Sequence, residues 1–231
     1  MNETGRLPVR RHRRPRCPDC TLHADLCACA SLPRVPTPVE WVVVRHAGDA
    51  LRPTSTGRLV AAMLPGTRLV TFGRRDGAFD DSALRAPGVA IRLLFPDESA
   101  EVLSAAHLQG PTRLRLVLLD GTWRQASRMR HRISALQGMP VVRLPPGAPS
   151  TWSIRRPDRP ERLCTIETAI RVVALCGLDA EARAMWEAMK WIEARLMYMR
   201  GCRPRPPSLE EVRAALAATP SPWRALPIGV G

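Results

Sequence analysis

The stretch Arg113-Leu-Arg-Leu-Val-Leu-Leu-Asp-Gly-Thr-Trp123 decides the fold class. Its first seven residues, 113–119, form a short run dominated by branched apolar side chains, as in an interior strand of a sheet. The run that follows, 123–137, has helical periodicity. Between the two lie a carboxylate, a hydroxyl and an indole, at the carboxyl end of a strand, where open α/β sheets usually bind ligands. The stretch therefore predicts a strand-to-helix unit with a ligand site at its junction.

Strand and helix signals alternate on both sides of this stretch. Further strands are predicted at 39–45, 68–72, 89–95 and 141–144, and helices at 56–64, 165–175, 179 to about 200, and 208 to about 218. Such alternation predicts an α/β fold with a mostly parallel sheet flanked by helices. Five groups of polar, glycine or proline residues follow predicted strand ends, so we expect one pocket to collect them. They are His46, Gly73-Arg74, Pro96–Glu98, Asp120–Trp123 and Pro145-Pro146.

Composition limits the class of protein and its partners. The chain has 231 residues, enough for one sizeable domain with a small appendage. Its 35 Lys and Arg against 21 Asp and Glu give a net charge of +14, which favours nucleic acid or an acidic membrane as partner. The sequence contains no apolar run long enough to cross a membrane, and residues 1–16 lack the apolar region of a secretory signal. We therefore expect a cytoplasmic protein, with no membrane association, whose seven cysteines stay reduced.

The chain divides into four predicted parts. Residues 1–16 form a basic, flexible arm, and 17–36 hold a four-cysteine motif. Residues 37–202 form the main α/β domain. Residues 203–231 form a proline-rich C-terminal helix and tail, to which the sequence assigns no function.

The four-cysteine motif comprises Cys17-Pro-Asp-Cys20 and Cys27-Ala-Cys29. Four thiolates so close in sequence predict a tetrahedral zinc site, which is structural because four protein ligands leave no open position for water. The single-residue gap in the second pair is less usual, and His23 or His12 could replace one sulfur. Free thiols or a redox pair are the alternative.

Arginines mark two segments near the predicted site. Arg124, Arg128 and Arg132 recur every four residues and form a stripe along the predicted helix. The loop before the helix at 165 carries Arg155, Arg156, Arg159 and Arg162. We expect both segments to contact a phosphate backbone. An ordinary solvated helix face is the alternative for the stripe.

Three residues near helix starts have alternative roles. Asp120 is a candidate general base, a carboxylate that orients a ligand, or the N-cap of the following helix. Thr165 and Glu167 would fit an ordinary capped helix, with Thr165 as the cap and Glu167 in the first turn. The sequence contains neither a Walker phosphate loop nor a Gly-x-Gly-x-x-Gly fingerprint, which excludes nucleotide cofactors bound in those ways.

Taken together, these motifs resemble the DTW-domain family, the bacterial tRNA-uridine aminocarboxypropyltransferases. The resemblance runs in order from Cys17 to about Ala169, and the family's usual Ser-Thr-x-Glu-Ala reads Cys164–Thr168 here. The acidic residue that often follows the family's histidine is displaced to Asp49. The matching elements are the four cysteines, His46, Ser55–Leu59, Leu94–Pro96, Asp120–Ala126, Ser150, Arg155 and Leu163–Glu167.

The resemblance implies a reaction and a fold. The family transfers the 3-amino-3-carboxypropyl group of S-adenosylmethionine to N3 of a tRNA uridine and releases methylthioadenosine. Its domain is SPOUT-like, with a C-terminal knot, which would make 37–202 the catalytic domain. The implied partner is tRNA, and no stable protein partner is predicted.

The resemblance also implies roles for individual residues. Asp120 would take the uridine proton, Thr122 would bind a base edge or a carboxylate, and Trp123 would stack on the uracil or line the donor pocket. Arg155 or Arg156 would pair with the carboxylate of the donor. The implied donor-binding residues are Phe95, Pro96, Leu119, Ser150, Arg155, Thr165 and Glu167, and the implied RNA-binding residues are Arg124, Arg128, Arg132, Arg156 and Arg159.

Two other functions fit the same sequence. A SPOUT-type RNA methyltransferase would use the same donor but transfer a different carbon. A non-catalytic zinc-containing RNA-binding protein would bind no donor, and its RNA affinity would not depend on Asp120.

Overall fold

The computed structural model describes residues 14–75, 77–110, 112–155, 159 and 162–223. Its strands are β1 (Glu40–His46), β2 (Arg68–Phe72), β3 (Ala90–Leu94), β4 (Glu101–Val102), β5 (Leu114–Asp120) and β6 (Val141–Arg143). Its helices are α1 (Gly57–Met63), α2 (Ala105–Leu108), α3 (Trp123–Arg132), α4 (Thr165–Leu175), α5 (Asp179–Met199) and α6 (Leu209–Leu216).

The six strands of the described residues form one sheet in the order β2-β1-β5-β3-β6-β4. Every pair of neighbours in it is parallel. The strand that ends at Asp120, β5, lies between β1 and β3, with Arg45 opposite Asp120. The predicted α/β class with a mostly parallel sheet is therefore confirmed, and the SPOUT-type knot stays a prediction.

Alternating side chains along the central strands divide the core between the two faces of the sheet. Trp41 and Val43 of β1 pack in the same cluster as buried residues of α1, α4 and α5. Val42 and Val44 point the other way and pack with Met129 of α3. Because side chains of a strand alternate between its faces, a nearly continuous apolar run is what a strand covered on both faces requires.

Three elements differ from their prediction. Helix α2 was not predicted, because its four residues are too few to show a helical period. Helix α3 ends at Arg132, five residues before the predicted end, because Ile133 adopts an extended conformation and a short 3-10 turn follows at Ser134–Leu136. Strand β4 was not predicted, because it consists of two exposed residues and has no apolar run. It extends the sheet by pairing with β6.

The C-terminal helices cover one face of the sheet. Helix α5 packs on α4, and α6 packs on α5. The methionines Met185 and Met189 of α5 are fully buried. A capping box starts α6, since the Glu211 amide donates to Ser208 Oγ at 3.1 Å and the Ser208 amide donates to Glu211 Oε2 at 2.8 Å. Among the described residues, no helix is long and apolar enough to cross a membrane.

Candidate active site

A cavity of about 720 Å³ opens over the carboxyl ends of β3, β5 and β6. Its volume lies in the range of small-molecule sites. Among the described residues, the wall includes three of the five segments that the sequence places after strand ends: Pro96–Glu98, Asp120–Trp123 and Pro145-Pro146. The prediction is wrong for His46 and for Gly73-Arg74. These residues end β1 and β2, which lie on the other side of β5.

His46 instead contributes to the contact between β1 and the start of α3. Its Nδ1 accepts a hydrogen bond from the Gly48 amide at 3.0 Å and lies 3.1 Å from Nε2 of Gln125. Gln125 in turn accepts from the Thr122 amide at 2.7 Å. His46 therefore stabilises the junction between β5 and α3 through Gln125.

Asp120 is buried and binds three donors from two distant segments. Its Oδ2 accepts from Ser55 Oγ at 2.5 Å, and its Oδ1 accepts from the Gly57 amide at 3.0 Å and from Thr165 Oγ1 at 2.7 Å. The fit at Gly57 is tight, since an added Cβ there would lie 2.6 Å from Asp120 Cγ. One carboxylate thus ties β5 to the starts of α1 and α4.

The alternative of Asp120 as a helix cap is wrong. The N-cap of α3 is Thr122, whose hydroxyl accepts from the Gln125 amide at 3.2 Å. Asp120 is the last residue of β5, two positions too early to cap the helix. Thr165 is likewise the first residue of α4 and not its cap, a position that Cys164 occupies.

Two aromatic rings form one wall of the cavity. The ring centroids of Phe95 and Trp123 lie 6.3 Å apart in an edge-to-face arrangement. The Arg162 guanidinium lies 4.9 Å from the Trp123 ring. Arg130 lies 5.1 Å from the Phe95 ring and binds Asp97 at 2.6 Å. The Ser99 hydroxyl and Arg130 lower the pKa of Asp97 to about 2, so this pair is charged at neutral pH.

Arg155 lines the cavity with its guanidinium bound to protein groups. Its Nη1 lies 2.9 Å from Oδ2 of the buried Asp49, and its Nη2 donates to Thr54 Oγ1 at 3.0 Å. The acidic residue displaced along the sequence from His46 is therefore the ion-pair partner of Arg155. Arg156, the other predicted carboxylate partner, lies outside the described residues.

Glu167 lies behind the loop 150–152. Its carboxylate accepts from Ser150 Oγ and from the Thr151 amide, both at 2.6 Å, and from the Trp152 amide at 3.2 Å. Within the described chain, six of the seven predicted donor-binding residues line the cavity and Glu167 does not. Those six are Phe95, Pro96, Leu119, Ser150, Arg155 and Thr165.

Glu193 of α5 holds the next residue of the same loop. It accepts from Ser153 Oγ at 2.7 Å and from the Ser153 amide, and it forms an ion pair with Lys190. The apolar pattern of α5 predicts a core helix and no site residue, so the role of Glu193 was missed. The available signal was a glutamate in the middle of an apolar helix face, which is rarely buried without partners.

The four predicted metal ligands converge. The sulfurs of Cys17, Cys20, Cys27 and Cys29 all lie within 4.8 Å of one another. The Cys17–Cys27 and Cys20–Cys27 pairs are separated by 3.5 and 3.9 Å. A tetrahedral zinc ion with Zn–S bonds of about 2.3 Å requires sulfurs roughly 3.8 Å apart, so the cluster fits that geometry. Within the described residues His23 is not part of the cluster, and His12 lies outside them.

The cysteine cluster also connects to the cavity. The connection is Arg58 of α1, which is buried and donates to the Asp19 carbonyl at 3.2 Å and to the Ala50 carbonyl. Within the cluster, the backbone amide of Cys20 lowers the pKa of the Cys17 thiol to about 7. Arg58 thus joins the cysteine segment to the chain segment from Ala50 to Gly57, which contains two donors to Asp120.

The arginine stripe lies on the exposed face of α3. Arg124, Arg128 and Arg132 are all exposed, and Arg124 also lines the edge of the cavity. Arg159, exposed as well, lies at the same edge. The stripe is therefore continuous with the cavity mouth.

Comparison with known proteins identifies the family of this chain. The model of the DTW domain matches residues 14–197. The chain belongs to the DTW domain family. The match includes the cysteine cluster and every described cavity residue named above, whereas α6 lies beyond it.

Relatives of this DTW-domain chain include named transferases. It is 32% identical over 182 residues to tRNA-uridine aminocarboxypropyltransferase 2 of Mus musculus, covering 75% of this chain and 60% of the relative. It is 30% identical over 181 residues to tRNA-uridine aminocarboxypropyltransferase 2 of Drosophila melanogaster, covering 74% of this chain and 70% of the relative. The DTW-domain chain thus spans about 60% of the length of the mouse relative.

Among solved structures, the DTW-domain chain is similar to the SAM-dependent rRNA:acp-transferase Tsr3 from Vulcanisaeta distributa. The TM-score is 0.48 at 19% sequence identity, and the likeness covers 78% of this chain and 90% of that chain.

Proposed function

We propose that this DTW-domain protein transfers the 3-amino-3-carboxypropyl group of S-adenosylmethionine to N3 of a uridine in tRNA. The observation that carries the proposal is the cavity, because the family's motifs from four separate segments meet in its wall. The names of the animal relatives support the same reaction.

The proposed reaction is a displacement at carbon. Uracil N3 forms a bond to the methylene carbon next to the sulfonium sulfur, and the bond between that carbon and sulfur breaks. The electron pair of that bond goes to sulfur, which leaves as neutral methylthioadenosine, and the N3 proton is lost to a base or to solvent. Because the donor is already activated, the protein contributes mainly by aligning the correct carbon with N3.

The aromatic wall supports binding of a planar base. Trp123 and Phe95 offer ring surfaces beside the carboxyl end of β5, and bases stack on such rings without regard to sequence. Thr122 lies between Asp120 and Trp123 in the sequence and lines the same cavity. We assign the uracil to this side of the cavity, where Thr122 is available to bind its edge.

The role of Asp120 follows from its hydrogen bonds. Three donors occupy both carboxylate oxygens, which suits an anchor that shapes the cavity better than a free general base. We therefore propose that Asp120 positions Ser55, Gly57 and Thr165. The competing assignment is that Asp120 acts as the base and accepts the N3 proton.

The cysteine cluster is proposed to hold one structural zinc ion. Cys17, Cys20, Cys27 and Cys29 would complete its coordination, so zinc would stabilise the segment and leave the chemistry to the cavity. The exposed arginines Arg124, Arg128, Arg132 and Arg159 are proposed to bind tRNA phosphates beside the cavity. The four-part division of the chain, its bacterial subgroup, its cytoplasmic location and the lack of a stable protein partner stay predictions.

Mass spectrometry of nucleosides tests the proposal. Unmodified tRNA is incubated with the protein and S-adenosylmethionine and then digested. We expect a uridine that has gained one aminocarboxypropyl group, together with an equal amount of methylthioadenosine. A methyl gain with adenosylhomocysteine would indicate a methyltransferase, and no change across a full tRNA pool would favour a binding protein without activity.

A further inference from the structure

Arg171 of α4 lines the same cavity and is absent from every role given above. Its guanidinium packs against the loop that follows β6. An added Cβ at Gly147 would lie 2.6 Å from Nη1 of Arg171, so only glycine allows this approach without displacement. Nη2 donates to the carbonyl of Ala148. The guanidinium thus packs against the loop after β6, and Arg171 lines the cavity.

The charge of Arg171 lacks a matching protein anion. Among the described residues, no carboxylate forms an ion pair with it, and its one hydrogen bond goes to a backbone carbonyl. Glu167 contributes only at longer range, and its carboxylate is taken by the loop 150–152. Burial lowers the pKa of Arg171, and the nearby charge of Glu167 offsets only part of that effect. A guanidinium has five N–H donors, so most of them remain available to a ligand.

The other arginines of the cavity wall are engaged differently. Arg155 is paired with the buried Asp49. Arg162 lies over the Trp123 ring. Arg143 directs its Nε to the carbonyl of Ala100, at 3.1 Å. Arg124 and Arg159 are exposed at the mouth. Within the described chain, Arg171 and Arg143 therefore both lie in the wall without a carboxylate partner, and Arg171 is the one whose guanidinium packs between α4 and the loop after β6.

We propose that Arg171 binds the carboxylate of the aminocarboxypropyl group of the donor. This inference rests on the proposed function, and it replaces Arg155 as the predicted carboxylate partner. A planar guanidinium pairs with a carboxylate through two parallel hydrogen bonds, which fixes the orientation of the bound chain. The contact also distinguishes donor from product, because methylthioadenosine has lost the carboxylate.

Calorimetric titration with two matched ligands tests the proposal. S-adenosylmethionine and decarboxylated S-adenosylmethionine differ only in the carboxylate. We expect the unmodified protein to bind the first about 10- to 100-fold more tightly, the range for a charge-assisted pair in a partly buried site. Arg171→Met should reduce that ratio to near one, and Arg171→Lys should restore part of it. Arg203→Met, at an exposed position outside the cavity, is the control and should keep the full ratio.

Four results would overturn the assignment. Arg171→Met and Arg171→Lys could both retain the full ratio. Arg171→Met could weaken both ligands equally, which would indicate a purely structural role. The ratio could instead be lost in Arg143→Met or Arg155→Met while Arg171→Met keeps it. Finally, Arg171→Met could weaken tRNA binding alone, which would assign the residue to a phosphate.

Failure of the proposed function would look different. In that case the unmodified protein would bind neither ligand, and both the donor and this role of Arg171 would be rejected. Tight donor binding that is insensitive to Arg171 would reject the carboxylate contact and leave the proposed reaction intact. Thermal unfolding of each variant identifies any loss of fold, and Arg171→Lys provides the test should the methionine variant unfold.

Discussion

At the scale of single residues, Asp120 shows how tertiary contacts determine a role. Its place after an apolar strand marks it in the sequence as a site residue. Its partners Ser55, Gly57 and Thr165 are 65, 63 and 45 positions away, so no local pattern reveals them. The sequence therefore identified the residue but left its function open among base, ligand contact and cap.

Substitution of Asp120 separates the anchoring role from the role of base. Asp120→Ala leaves three donors without their acceptor and should lower the free energy of unfolding by about 3 kcal/mol. Asp120→Asn keeps the shape and an acceptor oxygen. If Asp120 is an anchor, Asp120→Asn should keep the donor affinity within about 3-fold and the single-turnover rate within about 10-fold of the unmodified protein. A general base instead predicts a rate loss of roughly 100-fold or more at unchanged donor affinity.

Glu193 and Arg171 show what the sequence could not reveal. Both lie in helices whose periodicity predicts core packing, and both are partly or fully buried there. Each acts on a loop that is distant along the chain, Ser153 for Glu193 and Ala148 for Arg171. Burial of a charged side chain is the informative property, and it becomes visible only in three dimensions.

At the scale of elements, apolar patterning located most of the helices and strands. Strand β2 and helix α4 have the predicted bounds because turn residues and apolar runs mark both of their ends. Helix α2, strand β4 and the early end of α3 were not predicted, because α2 and β4 are too short to show a pattern and Ile133 adopts an extended conformation. The order of the strands could not be predicted from the sequence either, because β5 pairs with β1 and β3, which are distant from it along the chain.

The cysteine segment gives a prediction for one element. We expect one zinc ion per chain by elemental analysis of the purified protein. Cys20→Ser should abolish zinc retention. It should also lower the free energy of unfolding by on the order of 3 kcal/mol, because metal binding and folding of the segment are coupled. Cys202→Ser is the matched control, since that thiol is exposed and outside the cluster. A protein free of metal that unfolds identically in both variants would reject a structural zinc site.

At the scale of the whole molecule, the charge of +14 predicted the class of partner. The structure shows where part of this positive charge lies. Three exposed arginines form a stripe along α3 that begins at the edge of the cavity. Arg130 of the same helix is paired with Asp97 and is not part of this exposed stripe. Sequence spacing alone could not separate arginines that face solvent from arginines that are paired.

The arginine stripe predicts the salt dependence of tRNA binding. Replacing Arg124, Arg128 and Arg132 together with Gln should weaken binding and reduce the slope of log Kd against log salt by about 2–3, close to one per lost phosphate contact. Replacing the exposed Arg34, Arg68 and Arg203 with Gln removes the same charge elsewhere and should reduce the slope by less. Equal slopes for the two triple variants would contradict a localised tRNA surface, and filter binding across a salt series measures them.

Transfer from a doubly labelled donor tests the central claim most directly. S-adenosylmethionine carries one isotope in the carboxyl group and another in the methyl group, and tRNA is recovered after incubation with the protein. We expect the carboxyl label to enter tRNA while the methyl label leaves with methylthioadenosine. Methyl label in tRNA without carboxyl label, or neither label in tRNA, would contradict it.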